Sequence, residues 1–145
     1  MMMNKINVVY WSGSGNTEAM AEAVGAGIAA AGKEANVVAV SHADIEELKS
    51  AKAFALGCPS MGAENLEEEE MEPFVCEVES FAAGKVIGLF GSYGWGGGVW
   101  MEEWVDRMVQ AGATVVNSEG VICNNEPDAD TIEQCKALGE QLAQV

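Results

Sequence analysis

The sequence predicts an α/β domain in which a five-stranded parallel sheet is covered by helices on both faces. Three observations predict it. Short runs of β-branched and aromatic residues alternate with amphipathic segments of helical length, the pattern of strand–helix–strand units. The run Val86 to Phe90 is almost continuously apolar, as in a strand buried on both faces. Gly- and Ser-rich clusters fall where apolar runs hand over to helices.

Ile6 to Trp11 reads as the first strand. A helix follows from near Asn16-Thr17, with Met20, Val24, Ile28 and Ala31 on one face. Gly25 and Gly27 lie inside it, each costing about 1 kcal/mol relative to Ala, and close packing on the sheet is the expected reason. Val37 to Val40 is the second strand, and Asp44 to Lys49 a short helix after His42. Ala53 to Cys58 is the third strand, stopped by Pro59. The acidic run Glu67 to Glu70 then leads past Pro73 into a helix through Phe81. It reads as a solvated helix start, with its role as a docking face left open. After the fourth strand and the loop Gly91 to Gly98 comes a helix whose apolar face is Trp100, Trp104, Val105, Met108 and Val109. Thr114 to Val116 begins a fifth strand that resumes at Val121 to Cys123. The last helix runs from about Pro127 to Ala143, with Ile132, Cys135, Leu138 and Leu142 inward.

The length of 145 residues suits one domain spanning 1–145, large enough to fold without staples. Asp and Glu number 23 against 7 Lys and Arg, a formal net charge of -16. Nucleic acid and an anionic membrane surface are excluded as partners, because both need clustered cations. Such acidity serves solubility or steers basic protein partners, and charge alone does not separate the two. Cys58, Cys76, Cys123 and Cys135 form no CxxC pair and have no zinc-ligand spacing, so they read as small buried side chains in a reducing compartment. His42 has no partners for a metal site. No signal peptide or membrane span is legible, and a cytoplasmic location is expected.

In sheets of this kind ligands bind beyond the carboxyl ends of the strands, at the switch point of strand order. The loops after strands one, three and four are therefore the candidates. Ser12-Gly13-Ser14-Gly15-Asn16-Thr17 sets three hydroxyls and two glycines at a helix N-terminus, an anion site or else an ordinary helix cap. It has no lysine where a P-loop needs one, which rejects triphosphate hydrolysis. Glu18 stands where a dinucleotide fingerprint needs its third glycine. A phosphate monoester held by neutral donors remains. In Gly91-Ser92-Tyr93-Gly94-Trp95-Gly96-Gly97-Gly98, Trp95 either stacks on a flat ligand or folds back onto the domain. Trp100 and Trp104, four apart on a helix, read as core. In Pro59-Ser60-Met61-Gly62-Ala63-Glu64, Met61 can lie on the other face of a ring and Glu64 can accept from a ring N–H. Together the three loops describe a flavin mononucleotide (FMN) site.

Over essentially its whole length the sequence resembles the short-chain flavodoxins. The residues that carry this are Tyr10 to Thr17, Gly57 to Gly62 and Phe90 to Gly96, with matching spacing. The resemblance implies a flavodoxin-like three-layer sandwich of strand order 2-1-3-4-5, with FMN at the switch point. It implies that Ser12, Ser14, Asn16, Thr17 and backbone N–H groups including Gly15 hold the phosphate. Trp11 and Gly13 complete that loop, and Pro59, Ser60, Ser92, Tyr93, Gly94 and Gly96 complete the cofactor-binding set. Trp95 and Met61 are implied to sandwich the ring and Glu64 to accept from its N3–H. The Gly62 carbonyl is implied to turn toward N5–H on one-electron reduction, favouring a neutral semiquinone. Two positions depart from the family. Ala63 stands where relatives often carry Asp, Asn or Gly, costing roughly 1–2 kcal/mol if the reduced turn needs positive φ. Gly97 replaces a frequently acidic residue.

The implied function is a low-potential, single-electron carrier that shuttles between redox enzymes and is not itself an enzyme. Its partners would dock at the acidic flavin edge, and a monomer is expected. A small FMN-dependent reductase, or the flavin module of a reductase system, is the alternative. It is disfavoured because the chain carries neither a nicotinamide domain nor a substrate-binding insertion. A signalling receiver would need acidic residues at the ends of strands one and three, where Trp11-Ser12 and Cys58-Pro59 stand.

Overall fold

The computed structural model describes residues 5–61 and 65–145. The strands are β1 (Lys5–Tyr10), β2 (Glu34–Ala39), β3 (Ala53–Gly57), β4 (Val86–Tyr93), β5 (Thr114–Val115) and β6 (Val121–Asn124). The helices are α1 (Asn16–Ala30), α2 (Ile45–Ser50), α3 (Met71–Glu79), α4 (Val99–Gln110) and α5 (Ala129–Ala143). The sheet is parallel in the order β2-β1-β3-β4-β5, the expected 2-1-3-4-5, and β6 adds a further strand on β4.

Alternating residues of the inner strands point to two cores, as a pleated strand requires. Val8, Ala55 and Phe90 pack with Met20, Val24 and Ile28 of α1 and Cys135, Leu138 and Leu142 of α5. Val9, Phe54, Leu56, Ile87 and Leu89 pack with Leu48 of α2, Val75 and Val78 of α3, and Trp100, Trp104 and Met108 of α4. The two tryptophans are core, as expected, at 2% and 1% exposure.

Several boundaries differ from the sequence reading. β1 ends at Tyr10 and β3 at Gly57, one residue early in each case. β2 begins at Glu34, because the half-polar stretch Glu34 to Asn36 pairs fully with Lys5 to Asn7; Val40 falls in a 3-10 turn. β4 runs on to Tyr93, so Gly91, Ser92 and Tyr93 are strand and not loop. The cause is β6, which pairs Phe90 to Tyr93 with Val121 to Asn124. The fifth strand is interrupted at a 3-10 turn, where Asn117 and Ser118 adopt left-handed conformations.

Two expectations about side chains are corrected. Val109 lies outside the apolar face of α4, at 52% exposure, and Val105 is only partly buried. Of the α1 glycines, only Gly25 answers to the sheet, against Val37 and Ala35 of β2. Gly27 instead meets the backbone of Lys136 in α5, and Gly139 of α5 meets the Val24 carbonyl. These two helices touch backbone to backbone, where any Cβ would collide.

Candidate functional site

The carboxyl ends of β1, β3 and β4 open onto a cleft of about 330 Å³. Trp11, Gly13, Ser14 and Asn16 line it from the first loop, and Pro59, Ser60 and Met61 from the second. Ser92, Tyr93 and Gly94 complete the predicted lining. Ten of the predicted residues therefore converge on one cavity, of a size at the lower end for small-ligand sites. Ser12, Gly15, Thr17, Trp95 and Gly96 are not among its lining residues. Gly62, Ala63 and Glu64 lie outside the described residues, and with them the expected turn toward N5–H.

The first loop is shaped by its own hydroxyls. Gly15 takes a left-handed φ of 99° immediately before α1, a conformation that favours glycine. The backbone N–H groups of Gly15 and Glu18 donate to Ser12 Oγ at 3.1 and 3.3 Å. Ser12 thus holds the loop onto the start of the helix. The Ser14 hydroxyl accepts more weakly from the Asn16 N–H, at 3.5 Å. Thr17 is buried, and its Oγ1 accepts from the Ser92 N–H at 3.4 Å, tying the first loop to β4. The Trp11 ring covers Gly13, where a Cβ would lie 3.2 Å from Cη2, while its indole N–H donates to Glu70 at 3.1 Å.

The second loop is a pinned strap. Cys58 N–H donates to the Phe90 carbonyl at 3.1 Å, and Ser60 N–H to the Ser92 carbonyl at 3.0 Å, extending the β3–β4 ladder to the cleft. Met61 and Asn65 exchange two backbone bonds of 2.8 Å in an antiparallel bridge. Burial pushes the Cys58 thiol up to about 12, so it stays protonated, donating to the Pro59 carbonyl and accepting from the Glu67 N–H.

Glu67 corrects the reading of the acidic run as a solvated helix start. It is buried, and its carboxylate accepts from the N–H groups of Glu69, Glu70 and Met71 at 2.9, 2.7 and 2.9 Å. Burial pushes its carboxyl up, but those three N–H groups pull it further down, below the usual carboxylate range. This cap starts α3 at Met71, ahead of Pro73, which is tolerated in the first turn.

Asn125 is the site residue that the sequence reading missed. It lines the cleft beside Gly94, adopts a left-handed φ of 61°, and donates its N–H to the Tyr93 carbonyl at 2.7 Å. Two features mark a ligand with both polar and flat parts. Ser60 Oγ is buried without a hydrogen-bond partner, a state that protein interiors avoid. Trp95 stands 59% exposed between glycines, so it does not fold back onto the domain. Both suit a flavin with a polar tail. Among the described residues no group of three or more His, Cys, Asp or Glu could hold a metal ion, and no helix is long and apolar enough to cross a membrane.

Comparison with known proteins agrees with this geometry. The flavodoxin family model matches residues 8–138. The flavodoxin of Clostridium beijerinckii is 44% identical over 140 residues, covering 97% of this chain and all of that protein. The flavodoxin of Megasphaera elsdenii is 44% identical over 138 residues, covering 95% of this chain and 98% of its own length. The solution structure of two-electron reduced M. elsdenii flavodoxin superposes with a TM-score of 0.88 at 43% identity, covering 97% of this chain and 99% of that one. With a family model spanning most of its length and relatives matched end to end, the chain belongs to the flavodoxin family.

Proposed function

We propose that residues 1–145 form one FMN-binding domain, with the cofactor held in the cleft at the carboxyl ends of β1, β3 and β4. As a member of the flavodoxin family the chain is an FMN-binding electron-transfer protein, and the reading as a substrate-turnover reductase is not favoured. The observation that carries the placement is the convergence of three separate loops on one cleft.

The phosphate would sit at the start of α1. Ser12 Oγ and Thr17 Oγ1 are occupied as acceptors, which leaves their hydroxyl protons to donate to an anion. Ser14, Asn16 and the positive end of the helix complete that pocket. Ser60 Oγ gains the partner it lacks, and Asn125 adds an amide at the rim. Trp95 and Met61 supply the two walls for the ring, with Glu64 as acceptor for its N–H. Bound FMN supplies the one-electron redox chemistry. The chain's part is to hold it in a setting poor in cations, since residues 11–17, 58–70, 91–98 and 118–128 contain no Lys or Arg. Redox partners are expected to dock at this acidic edge, and their basic surfaces would be steered to it. A cytoplasmic monomer is the form this reading implies.

The test is a visible spectrum of the purified protein followed by stepwise anaerobic reduction. A flavin spectrum with no steady-state turnover of NAD(P)H is expected. A colourless protein that takes up no added FMN would overturn the reading. Trp95→Ala should weaken FMN binding roughly tenfold, the equivalent of one lost stacking contact, as read by fluorescence titration. Unchanged affinity would remove Trp95 from the site.

A further inference from the structure

Trp11 stands where the first loop leaves the sheet. Its backbone N–H donates to the Gly57 carbonyl at 3.0 Å, one residue beyond the end of β1. Its half-buried ring lines the FMN cleft. That ring is held at two opposite ends. The benzo end lies over Gly13, where a Cβ would come within 3.2 Å of Cη2 and 3.4 Å of Cζ3. At the other end the indole N–H donates to Glu70 Oε1 at 3.1 Å.

Glu70 is built to hold that end. Its backbone N–H donates to Glu67 Oε1 at 2.7 Å, and its carbonyl accepts from the Phe74 N–H at 3.2 Å. The Glu70 main chain is therefore fixed between the buried Glu67 cap and the first turn of α3, and only its side chain remains to be placed. That side chain is exposed and makes no ion pair among the described residues. It takes the indole N–H instead, in a charge-assisted bond that fixes direction as well as distance.

We propose that Glu70 is a positioning residue for the cofactor: through Trp11 Nε1 it orients the indole ring, and with it the wall of the cleft at Gly13. The proposal rests on the FMN reading and deepens it, by adding a residue that does not itself line the cleft. Glu67 fixes the Glu70 main chain, Glu70 fixes the indole, and the indole backs Gly13 in the loop expected to hold the phosphate. A wall set in advance binds more tightly, because less ordering is left to be done on binding. Charge and position predict opposite signs here. FMN carries a phosphate anion, so removing a nearby carboxylate for its charge alone should tighten binding. Removing it as the anchor of Trp11 should weaken binding.

FMN release on dilution of the loaded protein, read by flavin fluorescence, gives the dissociation constant. Glu70→Ala should raise it at least about fivefold, the scale of one net hydrogen bond. Glu70→Gln keeps an acceptor oxygen and should stay within about twofold of the parent. In a Trp11→Phe background, which has a ring but no N–H, Glu70→Ala should add nothing. In the loaded, ¹⁵N-labelled protein the Trp11 indole N–H signal, assigned by Trp11→Phe, should move upfield in Glu70→Ala and stay near the parent position in Glu70→Gln. Tighter or unchanged binding by Glu70→Ala overturns the proposal, as does an unmoved indole signal. Glu70→Gln binding as weakly as Glu70→Ala overturns it too, as does a full loss on adding Glu70→Ala to Trp11→Phe. Glu69→Ala removes an equal charge from the neighbouring exposed residue, and an equal loss of affinity there would also overturn it. A parent protein that takes up no FMN fails the cofactor reading itself, whereas a loaded parent with any of the other results fails this proposal alone.

Discussion

At the amino end of the sheet the strands begin among cations, while at the carboxyl end they run out into loops that have none. Lys5 opens β1, Lys33, Lys52 and Lys85 directly precede β2, β3 and β4, and Lys49 lies in the last turn of α2, so five of the seven cations share that end. Most of these lysines have structural partners. Lys5 pairs with Glu47 at 2.8 Å, and Lys85 donates to the Lys49 and Ala51 carbonyls at 2.8 and 2.6 Å. The carboxyl end instead carries Glu67 to Glu70, Glu119, Glu126 and Asp128, and the orphaned Ser60 hydroxyl. A cleft of about 470 Å³ also exists at the amino end, larger than the 330 Å³ FMN cleft. Volume therefore does not select the site. Unmet hydrogen-bonding capacity and an exposed aromatic do, and both lie at the end where parallel sheets place their ligands.

The largest expected effect comes from Gly91→Ala, which strikes the carboxyl end at its closest approach. A Cβ on Gly91 would run into the Cys58 carbonyl oxygen, the atom that also accepts from Trp100. Either β4 or the strap must shift, and the Ser60–Ser92 bond goes with it. Overpacking of this kind costs about 3 kcal/mol. Urea unfolding should show that loss together with at least tenfold weaker FMN binding. A stability loss with full FMN affinity would mean that the β3–β4 register does not govern the cleft.

Asn7→Leu makes the complementary cut at the amino end. Asn7 is buried in β1, donates to Glu47 at 3.1 Å and accepts from Asn36 at 2.7 Å. Its loss leaves the Asn36 amide short of an acceptor, at a cost of about 2 kcal/mol. FMN affinity should not change. If affinity falls in step with stability, the two ends are mechanically coupled and the division between them is wrong.

The division itself was largely legible in the sequence. The strand–helix alternation and the three loops carry it, because periodicity and glycine clusters are local signals. Asn125 escapes a sequence reading because its loop follows a strand of four residues that pairs β4 only after an interruption, and no local pattern ties that loop to the cleft. Gly27 was assigned to the sheet because helical spacing shows that a residue is buried but not which neighbour buries it; α5 lies more than a hundred residues away in the chain. Glu67 was hidden by composition. In a run of four glutamates, nothing local says that one of them turns back to bind three N–H groups.

Glu67 also gives the smallest and most specific test, because it holds the strap through charge at the acidic end. Its carboxyl titrates below the usual range in the folded protein, so ionised Glu67 favours the native state. That contribution is complete above the unfolded-state value of about 4.3 and is lost as pH falls through the depressed folded value. Glu67→Gln keeps an acceptor oxygen but removes the ionisation. At neutral pH it should cost about 1 kcal/mol, the usual scale of a lost helix cap. The informative readout is the acid limb of the stability curve, which should become shallower below about pH 4.3 in the variant. Asn7→Leu should flatten that limb less, because Lys5 still favours ionised Glu47 after the Asn7 bond is gone. An acid limb of unchanged slope in Glu67→Gln would show that the three short N–H contacts hold the strap without depending on the charge.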